Sequence, residues 1–364
     1  MARTSSLITL SIIPFLFFFL YDRSQMLSLF YSNAPHRLQH INKLGNYEIK
    51  FTDTIRNCED AWLVEQAGAA ILSCDPGREK WNTNLNYSGP IEKGGLWLYN
   101  YAPTEGKPES LVRIEFVGYE ESEFHPLGVT YHESSSTLFA INHLKDGLRI
   151  DIFNFQLSKN SASAPRAVHQ RYIKHPLLHS PNSLVLINEN ELYVTNDHHF
   201  LHPKHSFLRA LEDYGAVPGG TVVHIDLRTD AVRTVARVPF ANGVELLNVT
   251  TVAVASTTKP AVYLFEMSPS TRDLTYRAMI RVPFLVDNLS VDENGVLLMA
   301  GHPHVVSLQK WAKTRHICRS EGAIRSYARR NPQARGYPSG QKKVAERTYM
   351  SAQNFPPAAQ QLGT

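Results

Sequence analysis

Short apolar stretches typical of β-strands follow one another from about residue 50 to about residue 305, and helical periodicity is scarce there. Five segments repeat one order of residues: one or two polar residues, a short apolar strand, a turn and a second apolar strand. They begin near residues 57, 124, 178, 240 and 285. Further alternating stretches between them are bounded by glycine, proline, serine or aspartate, which favours strands joined by turns. The pattern predicts an all-β chain built from a repeated unit.

The spacing of the repeats leaves room for about four strands in each unit. The stretch "RVPFANG" at 237–243 recurs as "RVPFLVDN" at 281–288. A unit of this length with a polar start is typical of a β-propeller blade rather than of a sandwich. Because the first strands of successive blades surround one channel, we expect the polar residues at their starts to converge there.

The polar residues that recur at the starts of the units are carboxylates and amides. They are Glu59, Asp60, Asn182, Asn242, Asp287 and Asn288. Hard oxygen ligands in that number, with no thiolate and no obligatory imidazole, suit Ca²⁺ better than Zn²⁺ or Mg²⁺. The alternative is that they are ordinary turn residues at strand starts, since Asn and Asp favour turns. Six such residues in register favour the calcium site.

Composition indicates a globular protein whose basic residues are concentrated at one end. The 364 residues are 43% hydrophobic, which is ample for a sizeable core. The net charge is +4, but residues 315–364 hold nine Lys and Arg against two acidic residues. The first 314 residues therefore carry 28 basic and 31 acidic residues, a balance of −3. This distribution weakens a nucleic-acid-binding interpretation of the main domain, and we expect no nucleic-acid partner.

The N-terminus has the features of a targeting segment. Arg3 precedes an apolar run, Leu7 to Tyr21, which Asp22 and Arg23 close. We predict a signal peptide or uncleaved signal anchor over residues 1–30, and the alternative is a buried core helix. The predicted location is the secretory pathway, with an extracellular or membrane-tethered product.

Two further features agree with a secretory location. Sequons at Asn86 and Asn248 are predicted glycosylation sites. Cys58 and Cys74 bracket two short strands joined by "EQAG", and the two ends of such a hairpin lie opposite each other. We therefore predict a Cys58–Cys74 disulfide, which leaves Cys318 free.

Several motifs resemble the paraoxonase/arylesterase family over about residues 50 to 310. They are "HPLGV" at 125–129, "PNS" at 181–183, "TNDHHF" at 195–200, "FANG" at 240–243 and "VDNLSVD" at 286–292. The resemblance implies a six-bladed β-propeller that hydrolyses small lactones and aryl esters with calcium. We expect a propeller domain over 45–318 whose sixth blade is incomplete.

The resemblance also implies the metal ligands, with one calcium ion expected and room for a second. The residues that match the ligands of the catalytic ion are Glu59, Asn182, Asn242, Asp287 and Asn288. Asp60 and the backbone carbonyl of Val129 match ligands of a deeper structural ion. That second site is weaker, since Ser183 stands where the family usually has an aspartate.

The candidate catalytic residues depart from the family. A histidine dyad is thought to activate water there; His143 matches its second member, but Leu127 replaces the first. His125 and His302 are further base candidates, and the alternative for each is a packed or channel-lining histidine. Asp287 could share proton transfer while holding the metal.

Two segments outside the repeats complete the prediction. Residues 203–215 form a predicted helix with an apolar face, and the resemblance implies a lid at the channel mouth that can touch a membrane; residues 7–21 are a second membrane contact. The alternative is a helix merely packed on the propeller. Residues 319–364 show no alternating segment and contain several prolines, so we predict an irregular basic tail.

The function expected from these observations is calcium-dependent hydrolysis of lactones or aryl esters. A non-catalytic, calcium-stabilised propeller that binds a ligand or partner at its channel mouth is one alternative. A sugar-lactonase-like propeller with one divalent metal is another. The oligomeric state is left open.

Overall fold

The computed structural model describes residues 2–38, 48–79, 91–103, 108–157, 164–201, 205–292, 294–308 and 348–350. Strands in these residues form five sheets, each made of strands that are consecutive along the chain. The described residues also contain α-helices at Ala2–Ser32 and Ser206–Gly215, a helical stretch at 305–308, and single-turn helices at Glu65–Ala67 and Pro76–Glu79.

The sheets follow the order of the sequence repeats. The first contains β1 (Cys58–Val64), β2 (Ala69–Cys74), β3 (Gly95–Asn100) and β4 (Ser110–Arg113). The second contains β5 (Glu115–Val117), β6 (Pro126–His132), β7 (Thr137–Leu144), β8 (Gly147–Phe155) and β9 (Arg166–Ile173), with β5 parallel to β9. The third contains β10 (Pro181–Asn188), β11 (Glu191–Asn196), β12 (Gly220–Asp226) and β13 (Ala231–Val238). The fourth contains β14 (Ala241–Asn248), β15 (Thr251–Ser256), β16 (Ala261–Met267) and β17 (Leu274–Arg281). The fifth contains β18 (Leu285–Val291), β19 (Leu297–His302) and β20 (Thr348–Met350).

Apolar side chains pack between sheets that are successive along the chain, and in the described residues four clusters join the five sheets in order. Ile71 of the first sheet and Phe153 of the second belong to one fully buried cluster. Tyr193 of the third sheet and Phe265 of the fourth belong to another. Equivalent clusters join the second sheet to the third and the fourth to the fifth. This face-to-face succession of sheets confirms the predicted all-β propeller.

One edge strand of each sheet, called its first strand below, lies beside that of the neighbouring sheet in the order β1, β6, β10, β14 and β18. In the second sheet this strand is β6, since β5 pairs with β9 at the opposite edge. The Asn288 side chain in β18 donates a hydrogen bond to the Glu59 carbonyl in β1 at 2.8 Å, which joins the last strand to the first. The polar residues at the starts of these strands are thereby placed on neighbouring strands. The incomplete sixth blade of the prediction falls on residues outside those described.

Helix α1 (Ala2–Ser32) covers the predicted targeting segment, and its C-terminal end lies on the fourth and fifth sheets. Asn33, just beyond the helix, is buried and donates to the Pro283 carbonyl at 2.7 Å and the Pro303 carbonyl at 2.9 Å. Asp22 pairs with Arg281, while Arg23 donates to the Thr258 carbonyl at 3.3 Å. Within the described residues, neither helix combines the length and apolarity needed to cross a membrane.

Three other predictions can be compared with the structure. Helix α2 (Ser206–Gly215) lies within the predicted 203–215 segment, and Phe207 is 75% exposed on it. The predicted Cys58–Cys74 disulfide is present where β1 pairs with β2. The tail differs from the prediction at β20 (Thr348–Met350), which pairs with β19 along an edge that no other described strand covers. The rest of the tail, with Cys318, lies outside the described residues.

Candidate metal and active site

All five first strands carry a one-residue shift of pairing register near their starts, which is the signature of a β-bulge. The shift lies between Cys58 and Asp60 in β1, and at corresponding places in the other four strands. A bulge redirects side chains out of the regular alternation. Glu59, Asn182, Asn242 and the Asp287–Asn288 pair all lie within these shifted intervals. The local backbone therefore explains why these polar side chains share one place in each unit.

Close packing of the bulges requires small residues at two of them. A side chain at Gly243 would meet the Asp287 carbonyl at 2.8 Å, and one at Gly128 would meet the Asn182 carbonyl at 2.8 Å. Neither backbone atom can move without shifting a bulge. The glycines thus allow ligand-bearing segments of neighbouring strands to approach each other.

Two amide oxygens in this ring fit a cation. Asn182 and Asn242 are 8% and 3% exposed, and the Oδ1 atom of each accepts no hydrogen bond from any described group. A buried acceptor without a donor costs about 1–3 kcal/mol unless something else satisfies it. A hard cation does so, since calcium prefers carboxylate and amide oxygens. The side chains present therefore fit Ca²⁺.

Asp287 joins the predicted ligands to a histidine. Its Oδ1 atom accepts a hydrogen bond from Asn242 Nδ2 at 2.7 Å, and its Oδ2 atom lies 3.1 Å from His302 Nε2. Because a carboxylate only accepts, His302 Nε2 carries a proton in this hydrogen bond. His302 is partly exposed. The structure thus brings together two of the four predicted catalytic residues.

His143 is placed differently, at the interface of the second and third sheets. Its ring is 4% exposed and its Nε2 atom lies 2.7 Å from the Pro181 carbonyl oxygen. Burial lowers the pKa of His143 to about 4, so the ring is neutral at pH 7. Leu127 packs against the apolar cluster between these sheets.

His125 is held by an acid from the first sheet. Its Nδ1 atom lies 3.2 Å from both carboxylate oxygens of Asp75, and both residues are 1% exposed. The pair lies at the join of the first and second sheets, and Asp75 is not among the bulge residues. This arrangement supports the packed-histidine alternative for His125.

The second predicted ion site has a different geometry from the ring. Asp60 Oδ2 accepts a hydrogen bond from the Val129 N–H at 2.9 Å, and Asp60 Oδ1 accepts one from Ala61 N–H at 2.9 Å. The structure therefore brings Asp60 and Val129 together through the Val129 amide. Glu245 is a nearby acid that the sequence did not single out. Burial raises its pKa to about 7, and the Asp60 carboxylate adds to the rise.

Hydroxyl groups at the ends of second strands were also missed from the sequence. Thr195 Oγ1 donates to the Asn242 carbonyl at 2.6 Å, and Thr257 Oγ1 donates to the Val286 carbonyl at 2.6 Å. Thr257 also accepts from Asn242 Nδ2 at 3.1 Å. The sequence offers only a weak signal, a threonine near the end of each second strand, because Thr195 lies inside β11 and Thr257 lies one residue beyond β15.

Of the two predicted glycosylation sites, the structure describes Asn248. Asn248 is exposed at the end of β14, and its Oδ1 atom accepts from Thr250 N–H at 2.9 Å. Asn86 lies outside the described residues. Asn288 also begins a sequon, but its side-chain amide faces the Glu59 carbonyl inside the ring.

Comparison with solved structures finds a gluconolactonase from Xanthomonas campestris with 14% identity and a TM-score of 0.42. The match covers 68% of this chain and 71% of that one. At this TM-score the likeness adds nothing to the sheet arrangement described above.

Comparison of sequences is more informative. A family model described as arylesterase matches residues 87–317. Serum paraoxonase/arylesterase 2 of Rattus norvegicus is 31% identical over 269 residues, covering 71% of this chain and 72% of the rat protein. The same protein of Canis lupus familiaris is 32% identical over 226 residues, covering 60% of each chain. The chain therefore belongs to the arylesterase family.

Proposed function

We propose that the protein is a calcium-dependent hydrolase of small lactones or aryl esters. The observation that carries this proposal is the set of bulge residues at the channel, in which the buried Asn182 and Asn242 oxygens lack a described donor. The ion would be held by Glu59, Asn182, Asn242, Asp287 and Asn288. Bound calcium would draw electron density from an ester carbonyl and favour the negative charge that develops on its oxygen.

Proton transfer is assigned to the pair made by His302 and Asp287. His302 Nε2–H makes a hydrogen bond to the Asp287 carboxylate. The other ring nitrogen, Nδ1, is then the atom that accepts a proton from water. The Asp287 carboxylate stabilises the imidazolium that results. The Asn242 amide holds the other oxygen of Asp287, which fixes the orientation of the pair.

Turnover of γ-lactones, δ-lactones and phenyl acetate tests this function, with free calcium set by a chelator. We expect hydrolysis that disappears on chelation and returns with calcium. Hydrolysis that persists in the stripped protein would contradict calcium dependence. A stoichiometry near one ion supports the bulge ring alone, and a value near two supports a further site at Asp60 and Val129.

One observation favours a second candidate function, a non-catalytic propeller that binds a ligand or partner. Leu127 packs into an apolar cluster where the family has a dyad histidine. Such a protein would bind calcium and gain thermal stability from it, yet show no turnover on any ester of the panel. The same assay, combined with a calcium titration, separates the two functions.

We further propose a secretory location with contact to a membrane surface through both helices. Phe17, Phe18 and Leu20 of α1 are exposed, as are Phe207 and Leu211 of α2. Arg23 donates to the Tyr214 carbonyl at 3.2 Å, so the two helices lie close together. Co-sedimentation with phosphatidylcholine vesicles should fall in a Phe207→Glu and Leu211→Glu variant. Unchanged vesicle binding would indicate that α2 packs on the propeller and does not contact the membrane.

A further inference from the structure

The first strands of neighbouring sheets are tied together by side-chain donors that reach a carbonyl in or beside the next bulge. Each of these hydrogen bonds runs from one sheet to the next around the ring. The donors and carbonyls are Ser73 to Leu127, Thr195 to Asn242, Thr257 to Val286, and Asn288 to Glu59. Three of the four donors are hydroxyl groups at or just after the end of a second strand. The bonds therefore set how closely the ligand-bearing bulges approach one another.

His143 occupies the remaining interface, between the second and third sheets. It lies at the end of β7, the second strand of its sheet, as Ser73 and Thr195 do in theirs. Its Nε2 atom reaches the Pro181 carbonyl at 2.7 Å. A carbonyl oxygen only accepts, so Nε2 carries the proton and donates it. The histidine thus makes the same bond here that a hydroxyl makes at the other interfaces.

We propose that His143 is a positioning residue for the proposed metal ring and acts by holding the Pro181 carbonyl. It is then not the base that activates water. The inference rests on the proposed function, because it takes Asn182 as a calcium ligand. The peptide unit between Pro181 and Asn182 is planar, so a hydrogen bond that fixes the Pro181 carbonyl also fixes the orientation of the Asn182 backbone nitrogen and Cα.

The other side of Asn182 is fixed in a comparable way. The N–H of Ser183 donates to Thr195 Oγ1 at 3.1 Å. Asn182 therefore lies between two peptide units that are each held by a buried side chain. Because the backbone is held on both sides, the Asn182 Oδ1 atom keeps its position in the ring although no described group donates a hydrogen bond to it. Preorganisation of this kind raises affinity because less ordering is left to the binding step.

The test uses two replacements of His143 in the full chain. His143→Gln keeps an amide N–H near the place of Nε2 but has no basic nitrogen. His143→Leu removes the donor and leaves the Pro181 carbonyl buried without one. Thr257→Val removes the corresponding bond at another interface, and His224→Leu is a matched control, since His224 is 6% exposed and contacts Glu191 away from the ring. Calcium affinity of chelator-treated protein is measured by isothermal titration, and hydrolysis of phenyl acetate is followed against pH.

We expect His143→Leu and Thr257→Val to weaken calcium binding by about tenfold or more, the effect of one unsatisfied buried acceptor. His143→Gln should restore affinity to within about threefold of wild type, and its turnover should keep the wild-type pH dependence, because a donor suffices. His224→Leu should leave calcium affinity unchanged. If His143→Leu fails to fold, the Gln variant and Thr257→Val still decide the matter.

Two results would overturn the inference. One is a His143→Gln protein that binds calcium as wild type does but loses activity by about a hundredfold or more, as expected for a missing base. The other is a His143→Leu protein with unchanged calcium affinity. If wild type binds calcium but hydrolyses no ester, the proposed activity fails while the affinity comparison still tests the positioning role. A wild-type protein that binds no calcium would defeat both.

Discussion

At the scale of single residues, the candidate site combines acids and amides whose environments differ. Asp287 has hydrogen-bond partners on both oxygens, Asn242 and His302. Asn182 and Asn242 each keep a buried acceptor oxygen for a cation. Glu245 lies in a place that disfavours its charged form. The proposed calcium binding and the pH dependence of stability can therefore each be tested at individual side chains.

Replacing Asp287 by Ala should remove the protection that calcium gives against heat. A ligand present at 100 times its dissociation constant stabilises a protein by about 2.7 kcal/mol, and this gain should vanish without the carboxylate. Thermal unfolding with and without calcium measures it. The exposed Glu189→Ala variant should keep the full shift. An Asp287→Ala protein that calcium protects as well as wild type would show that the bulge ring is not a site.

Stability of the calcium-free protein should fall as pH rises through neutrality because of Glu245. Its pKa is raised from 4.5 to about 7, so the folded state binds the proton more tightly than the unfolded state does. The contribution is fully present below about pH 4.5 and is lost as pH rises to about 7, amounting to at most about 3 kcal/mol. Glu245→Gln should unfold at higher urea than wild type at pH 8. At pH 4.5 the gap should be small; a gap independent of pH would contradict this origin.

At the scale of elements, a bulge in each first strand and the end of helix α1 are the features that organise the channel end of the sheets. Each bulge turns side chains away from the regular alternation and toward the ring. Helix α1 holds the loops that flank the fifth sheet through Asn33. At the end of α1 the contact is made by the Asn33 side-chain amide with two backbone carbonyls, so a single substitution tests it.

Replacing Asn33 by Ala should destabilise the protein although the residue lies far from the ring in sequence. Its amide donates to the carbonyls of Pro283 and Pro303, and both bonds would be lost. We expect a loss of about 1–3 kcal/mol in the free energy of unfolding, measured by urea denaturation. Ser28→Ala, at an exposed position of α1, should have no such effect. Equal stability of Asn33→Ala and wild type would mean that the helix end is not anchored.

Glycosylation should distinguish two sequons that sit on neighbouring first strands. Asn248 is exposed where β14 ends, whereas Asn288 donates its amide to Glu59 within the ring. We expect a glycan on Asn248 and none on Asn288 when the chain passes through a secretory pathway. Mass spectrometry of peptides after deglycosylation in heavy-oxygen water identifies the modified asparagine. Occupancy at Asn288 would be incompatible with its place in the channel.

At the scale of the whole molecule, stability depends on sheets that pack only against their neighbours. The fifth sheet has three strands in the described residues, and its third strand comes from the far end of the chain. The pairing of β20 with β19 covers an edge that would otherwise be open to other chains. The C-terminal segment is thus linked to the propeller at one short strand.

Replacing Tyr349 by Pro should lower stability and increase aggregation. Tyr349 pairs with Leu298, and proline cannot donate to the ladder. We expect a loss of about 1–2 kcal/mol in urea denaturation and more light scattering on warming. Tyr349→Val, which keeps the backbone N–H and suits a strand, serves as the control. Identical behaviour of Tyr349→Pro and wild type would support the irregular tail that the sequence predicted.

The sequence by itself determined the repeat, the all-β class, the disulfide and the residue types of the candidate site. These depend on local signals: short apolar strands, turn residues and a polar start in each unit, which are visible along the chain. The family resemblance added the ligand matches, such as Asn182 and Asn242. No local pattern, however, predicts the direction of a side chain after a β-bulge has shifted the pairing register of its strand.

Only the tertiary structure decided the partners of the candidate residues. His143, His125 and His302 look alike in sequence, yet one meets the Pro181 carbonyl, one meets Asp75 and one meets Asp287. The pairing of β20 with β19 and the burial of Glu245 were equally hidden. The physical reason is that each of these contacts joins residues distant in the chain, so it depends on how sheets pack around the axis rather than on any local pattern.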